Sequence, residues 1–131
     1  MRVFMFVLFA AVALMGSSAV HAQGQAYYGF EPDITTNYIR SGDQRSLGYI
    51  RVAIEVMVPT TADLKIIEYH QALLRDAFIR ILSTETEGRI RSLNGREEIR
   101  VACLEAAREL IRKETGVDLV RDLIFTKYLY Q

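Results

Sequence analysis

The sequence is poor in the residues from which most metal and nucleophilic sites are built. Its 131 residues include one cysteine, two histidines, two prolines and no tryptophan. His21 lies in an apolar leader, so the rest of the chain has only His70 and Cys103 to draw on. A lone cysteine cannot close an internal disulfide, and two-histidine sites and thiolate clusters are excluded. We therefore expect no disulfide, no metal and no cofactor.

Catalytic motifs are missing as well. A Ser-His-Asp or Cys-His site would need His70, which we place on the solvated side of a predicted helix. Glu85 and Glu87 could be read as a carboxylate pair, but their alternation with threonines is typical of a solvated helix cap. Cys103 lies in an apolar helical segment and is predicted to be a small core residue. Since there is no glycine-rich phosphate loop either, we do not expect an enzyme.

Neither sign of charge is in excess. The chain has 16 basic and 16 acidic side chains, for a formal net charge of zero. Such a balance gives no attraction to nucleic acid or to an anionic membrane surface, so neither is expected as a partner. One stretch does carry four arginines, Arg89, Arg91, Arg96 and Arg100. Because glutamates are interleaved with them, an ion-paired surface is favoured over the alternative, the polar rim of a subunit interface.

The first 22 residues have the pattern of a secretory signal. A basic second residue is followed by an uninterrupted apolar run over residues 3–15 and then by small residues. Cleavage is expected between Ala22 and Gln23, which would leave a mature domain of residues 23–131. The alternative is a retained membrane anchor, but a span needs about 20 apolar residues and this run is shorter.

Two strands are predicted in the first half of the mature domain. Residues 23–29 are interpreted as a lead-in, and Phe30–Arg40 is rich in β-prone residues, with Pro32 near its start. Leu47–Val58 alternates with period two, with isoleucine or valine at most even positions. That alternation is typical of a strand with one buried face. Because the turn at Ser41–Gln44 is short, the two strands are expected to form an antiparallel hairpin.

Two helices and a final strand are predicted to follow. Apolar residues at three-, four- and seven-residue spacings predict a helix over 61–83, and residues 84–92 are interpreted as a polar connector. A second helix is predicted to start at Asn94 and to end before Gly116. The aromatic and β-branched residues of Val120–Gln131 predict a strand. The expected fold is therefore α+β, in the order β-β-α-α-β, with a small antiparallel sheet and two helices packed on one face.

Four short motifs occur in this part of the chain. They are an aromatic-x-x-x-Pro segment followed by an asparagine, an Arg-Asp-Ala-Phe segment in the first helix, and Leu-x-Gly-Arg-Glu at the start of the second helix. The fourth is the ending Val-x-Asp-Leu-Ile-Phe-Thr-x-Tyr-x-x-Gln. The motif residues singled out are Pro32, Asn37, Asp76, Gly95, Phe125, Thr126 and Gln131.

In their order and spacing these motifs resemble the periplasmic domain of the flagellar basal-body-associated FliL family, over residues 28–131. The resemblance implies a stomatin-like fold. It also implies a non-enzymatic accessory protein that associates with stator or basal-body proteins of the flagellar motor, forms homo-oligomers and supports motility. With its leader cleaved, the chain is similar to short, soluble periplasmic members. With the leader retained, it would be anchored in the inner membrane on the periplasmic side. The alternative function is a general secreted protein-binding module unrelated to flagella.

The tail does not keep a strict alternation of apolar and polar residues. Its apolar positions are Leu123, Ile124, Phe125, Tyr128, Leu129 and Tyr130, which are both odd and even. A strand that is apolar on both faces needs cover on both. Helices can cover one face and a neighbouring subunit the other. We therefore predict Ile124, Tyr128 and Tyr130 as possible interface residues.

Overall fold

The computed structural model describes residues 24–42 and 46–131. The predicted leader, its cleavage site at Ala22 and Gln23, and part of the predicted turn at Ser41–Gln44 lie outside these residues. The described strands are β1 (Ala26–Gly29), β2 (Ile34–Ile39), β3 (Leu47–Val58) and β4 (Asp122–Tyr130). The helices are a 3-10 turn (Thr61–Asp63), α1 (Leu64–Tyr69), α2 (Gln71–Ser83), α3 (Glu87–Arg91) and α4 (Leu93–Thr115).

The strands form an antiparallel sheet around β3. β1 and β2 lie end to end along one side of β3, and β4 pairs along the other side. The expected α+β fold with a small antiparallel sheet is confirmed. The interpretation of residues 23–29 as a lead-in was wrong, because Ala26–Gly29 pairs with the last residues of β3, where Ala26 lies opposite Val58. In that segment, two tyrosines are the only residues that suggest a strand. β3 is long enough to pair with β1 beyond the part that pairs with β2.

The first predicted helix is divided into pieces. Thr60 and Asp63 form a capping box that starts the 3-10 turn, in which the Asp63 carboxylate accepts from the amide of Thr60 at 3.1 Å. The helix is interrupted at His70, whose φ of −99° and ψ of 11° are not helical. The Nδ1 atom of His70 lies 2.8 Å from the carbonyl oxygen of Ile66, so the ring itself bonds to the end of α1. The helical spacing of apolar residues continues across this break, and the sequence therefore does not reveal it.

The connector and the start of the second long helix also differ from the prediction. Residues 84–92 contain the short helix α3, whose N-cap Thr86 accepts a hydrogen bond from the amide of Arg89. The N-cap of α4 is Ser92 rather than Asn94, and its hydroxyl accepts from the amide of Gly95. The predicted end is confirmed, since Gly116 closes α4 with a φ of 74°.

One face of the sheet and the inner faces of α2 and α4 make the core. The even positions of β3 from Ile50 to Val58 are at most 1% exposed, as its alternation predicts. Cys103 lies in this core as predicted, and burial raises the pKa of its thiol to about 12. The helix side of the sheet is therefore buried. The opposite side, which we call the outer face, is the side available for contact with other molecules.

Candidate functional site

A β-bulge explains why the tail does not alternate. Lys127 lies opposite Ala53 and Phe125 lies opposite Ile54, so Thr126 is an extra residue in β4. Before the bulge odd residues face the helices, and after it even residues do so. Leu123, Phe125, Tyr128 and Tyr130 therefore share the helix side, while Ile124, Lys127 and Leu129 lie on the outer face. The expectation that Ile124, Tyr128 and Tyr130 share one face of the strand was wrong, because the bulge turns the two tyrosines to the helix side.

The tyrosines after the bulge pack against α3 and the start of α4. Tyr128 donates a hydrogen bond of 2.8 Å to the carbonyl oxygen of Ile90. Its ring stacks on Phe125, with the centroids 5.8 Å apart, and the guanidinium of Arg96 lies 4.8 Å from its centroid. Partial burial raises the pKa of Tyr128 to about 12, so the phenol remains a donor across the physiological range. These contacts fix the second half of β4 to the helices.

The arginine-rich stretch is largely ion-paired. Arg89 contacts Glu85 at 2.6 Å and Glu98 at 2.7 Å, and Arg100 contacts Glu97 at 2.6 Å. Arg91 pairs with Glu87 at 3.2 Å and also lies 5.4 Å from the ring centroid of Tyr130. Within the described part of the chain, Arg96 forms no ion pair. The stretch is thus an ion-paired surface in which two guanidinium groups, those of Arg91 and Arg96, lie over the rings of Tyr130 and Tyr128.

Glu85 and Glu87 are held by separate contacts. Glu85 is bound to Arg89, and Glu87 in the first turn of α3 accepts a hydrogen bond of 2.9 Å from the amide of Ser41. That backbone hydrogen bond lowers the pKa of the Glu87 carboxyl. Both carboxylates are therefore held as acceptors that tie α3 to its surroundings.

Two arginines of α4 bind the main chain at the start of the tail. Arg100 donates to the carbonyl oxygen of Leu123 at 2.8 Å, and Arg108 donates to those of Val120 and Arg121 at 3.2 and 2.9 Å. The sequence did not predict these contacts. The eight-residue spacing puts both arginines on one side of the helix, but only the structure shows that this side faces β4.

Gln131 is bound through its backbone. Its amide donates to the carbonyl oxygen of Tyr49 at 2.9 Å, and its carbonyl oxygen accepts from the amide of Tyr49 at 3.1 Å. The same carbonyl oxygen also accepts a hydrogen bond of 2.9 Å from the hydroxyl of Tyr38. Tyr38 is fully buried, and Gly48 lies against its ring, where a Cβ would clash with the ring atoms. The last residue is thus tied to the middle of the domain.

The outer face carries an ionic cluster surrounded by exposed apolar residues. Asp33, the residue before β2, accepts from Arg51 of β3 at 2.7 Å and from Lys127 of β4 at 3.1 Å, which joins the start of β2 to both strands. The hydrogen bond from Arg51, followed by that from Lys127, lowers the pKa of the Asp33 carboxyl. The exposed apolar residues on this face are Tyr27, Ile39, Leu47, Tyr49 and Leu129. No described helix covers them, so this face is a candidate contact surface.

The other motif residues have separate structural contacts. The carbonyl of Pro32 accepts from Arg75 at 2.8 Å, and Asn37 donates to the carbonyl of Gly48 at 3.2 Å. Asp76 forms an exposed pair with Arg80 at 2.9 Å. A Cβ on Gly95 would clash with the carbonyl of Arg89, so this glycine lets α3 and α4 meet closely. The motif residues do not converge on one site.

We looked for clusters of metal-ligating side chains in residues 24–42 and 46–131. No three histidine, cysteine, aspartate or glutamate side chains gather there as a metal site would require. A cavity of about 260 Å³ is lined by Gly24, Thr60, Thr61 and Ala62, which offer no titratable side chain. In the same two segments, no helix has the length and apolarity needed to cross a membrane.

Comparison with known proteins shows which family the chain belongs to. The model of the family described as "Flagellar basal body-associated protein FliL" matches residues 27–131. A protein named flagellar protein FliL, from Aquifex aeolicus (strain VF5), is 28% identical over 104 residues. The alignment covers 79% of this chain and 60% of that protein, so the chain spans about 60% of the length of this relative.

Proposed function

We propose that this chain, which belongs to the FliL family of flagellar basal body-associated proteins, is a non-enzymatic accessory protein of the flagellar motor. It acts by binding stator or other basal-body proteins and supports motility. The observation that carries the proposal is the family match, because it extends over the sheet, the helices and the tail together. A match confined to one short motif would not separate a motor protein from a general binding module.

We place the protein in the periplasm. The support is the signal-like leader, whose apolar run is shorter than a membrane span. A leader that stayed in place would hold the same domain at the periplasmic side of the inner membrane. Sequencing the amino terminus of the protein from a periplasmic extract distinguishes the two, since cleavage would leave Gln23 as the first residue.

We assign partner contact and self-association to the outer face. This face carries the exposed Tyr27 and Tyr49 as well as Arg51 and Lys127, and aromatic residues and arginine are enriched in protein interfaces. Leu129 is 55% exposed there, and Ile124 is partly exposed further along the same face, with Lys127 between the two. Tyr128 and Tyr130 face the helices instead, so they reach a partner only along the free edge of β4. A homo-oligomer built through this face would centre on Ile124 and Leu129.

The test is deletion of the gene in the source bacterium, followed by complementation. Deletion is expected to reduce swimming or swarming under viscous load without changing secretion of other periplasmic proteins. The wild-type chain should restore motility, and Leu129→Asp should restore it poorly, because the new charge lies in the proposed contact surface.

The matched control is Tyr69→Asp, which also places an aspartate at an exposed apolar position. Tyr69 is 84% exposed at the end of α1, away from the outer face. It should restore motility like the wild type. Normal motility of the deletion strain under load would count against the flagellar function and in favour of a general secreted binding module.

A further inference from the structure

The second half of β4 has an unpaired edge. Gln131 exchanges two backbone hydrogen bonds with Tyr49, and bonded and non-bonded pairs alternate along an antiparallel ladder. Tyr130 opposite Ile50 and Tyr128 opposite Val52 are therefore non-bonded positions. Their amide and carbonyl groups point away from β3. Among the described strands β4 pairs with β3 alone, so these groups face the free edge.

The first half of the same edge is closed by side chains. Leu123 has outward-facing backbone groups like those of Tyr128, but Asp122 accepts from its amide at 2.8 Å and Arg100 donates to its carbonyl at 2.8 Å. Proteins protect edge strands by such means because an open edge pairs with other chains. The protection stops before the bulge at Thr126. The edge beyond it is thus the part open to an added strand.

The charge beside the open edge is positive. Arg96 lies over the ring of Tyr128 and, in the region that the structure describes, has no carboxylate partner. Arg91 lies over Tyr130. A second copy pairing through its own β4 would bring four of these guanidinium groups together. Arg91 already pairs with Glu87, so an acidic partner would instead supply the carboxylate that Arg96 lacks.

We propose that the edge of β4 at Tyr128 and Tyr130 binds an extended acidic segment of a partner protein as an added strand. Side chains of such a segment alternate between the two faces of the sheet. Acidic residues on the helix side meet Arg96 and Arg91, and apolar residues on the other side lie next to Leu129. The binding requires no particular motor protein, so it can be tested apart from the flagellar function.

The probe is a short synthetic peptide in which glutamate alternates with valine, and its control is the same peptide with lysine in place of glutamate. Each is titrated into the isotope-labelled full chain while backbone amide signals are recorded. The glutamate peptide should shift and protect the amides of Tyr128 and Tyr130. The lysine peptide should leave them unchanged. Equal binding of both peptides would overturn the acidic assignment.

A pair of variants tests the backbone contact. Tyr130→Ala and Tyr130→Pro both remove the tyrosine ring, but only proline also removes the amide N–H that points outward. An edge strand tolerates proline at such a position, because this N–H is not bonded to the neighbouring strand. The glutamate peptide should bind Tyr130→Pro about tenfold or more weakly than Tyr130→Ala. Equal affinities for these two variants would show that no strand is added at this edge.

A second pair tests the charge. Arg96→Gln should weaken binding of the glutamate peptide about two- to fivefold, the range expected for an exposed ion pair. Arg80→Gln is the control, since Arg80 is exposed on α2 and pairs with Asp76. It should bind like the wild type. Equal weakening by the two substitutions would indicate general charge attraction and would overturn the role of Arg96.

Discussion

The extra residue in β4 leads to a specific prediction about shortening that strand. Deletion of Thr126 removes the bulge but leaves Tyr128 opposite Val52. The residues after the deletion therefore stay on the same face of the sheet as in the wild type. Deletion of Leu129 also removes one residue, but with the bulge retained it turns Tyr130 to the outer face. The two deletions are matched in length and in strand, and they differ only in whether the facing is preserved.

The expected loss for the Leu129 deletion follows from the contacts of the last two residues. It breaks the two hydrogen bonds between Gln131 and Tyr49, the hydrogen bond from Tyr38, and the contact between Arg91 and Tyr130. At about 0.5–1.5 kcal/mol for each of the three hydrogen bonds and about 0.5–1 kcal/mol for the cation–π contact, the free energy of unfolding should fall by roughly 2–5.5 kcal/mol. The Thr126 deletion breaks none of these and should stay within about 1 kcal/mol of the wild type.

Urea unfolding followed by circular dichroism measures both deletions on one scale. Tyrosine fluorescence gives a second probe without interference, since the chain has no tryptophan. A Thr126 deletion that destabilised the protein as much as the Leu129 deletion would refute the reasoning. It would mean that the bulge itself stabilises the strand rather than only setting which face each residue takes.

Three further changes test contacts elsewhere. Tyr128→Phe removes the hydrogen bond to Ile90 and should lower the free energy of unfolding by about 0.5–1.5 kcal/mol, measured by urea unfolding. Gly95→Ala forces a methyl group against the carbonyl of Arg89 and should lower the melting temperature, at a cost of about 1–3 kcal/mol. Asp33→Asn should be less stable than the wild type at neutral pH, and the difference should shrink as the pH is lowered.

The sign of the Asp33 prediction follows from the lowered pKa of its carboxyl in the folded state. The stabilisation is present above the unfolded pKa of about 4 and is lost as the pH falls through the lower folded pKa. A gap between wild type and Asp33→Asn that stayed constant down to acid pH would contradict it. For Tyr128→Phe and Gly95→Ala, exposed Tyr49→Phe and Gly88→Ala serve as controls, since a Cβ on Gly88 meets no atom within 4 Å.

The parts of the fold that rest on regular periodicity could be predicted. β3 alternates without interruption, and its pairing and buried face follow from that pattern. Gly116 ends α4 because a left-handed residue is needed there. The charge interleaving of the arginine-rich stretch indicated ion pairs, and most of its arginines form them.

Features that depend on one residue or on distant contacts could not be predicted. The single extra residue at Thr126 shifts the alternation of β4 by one, so the residues of one face fall at odd positions before it and at even positions after it. Only the pairing with β3 reveals this shift. His70 interrupts a helix whose apolar spacing continues across the break. The contacts from Arg100 and Arg108 to the tail depend on how α4 lies against β4. The candidate edge site is made of such features, so sequence alone pointed to Tyr128 and Tyr130 but placed them on the wrong face.

The central claim is that this protein contacts flagellar motor proteins through its outer face. The most direct measurement is photocross-linking in living cells, with a photoreactive residue in place of Leu129 and, as the control, in place of Tyr69. Adducts with stator or basal-body proteins, or with a second copy, should form from position 129 and not from position 69. Equal yields from both positions, or adducts only with proteins unrelated to the motor, would contradict the account.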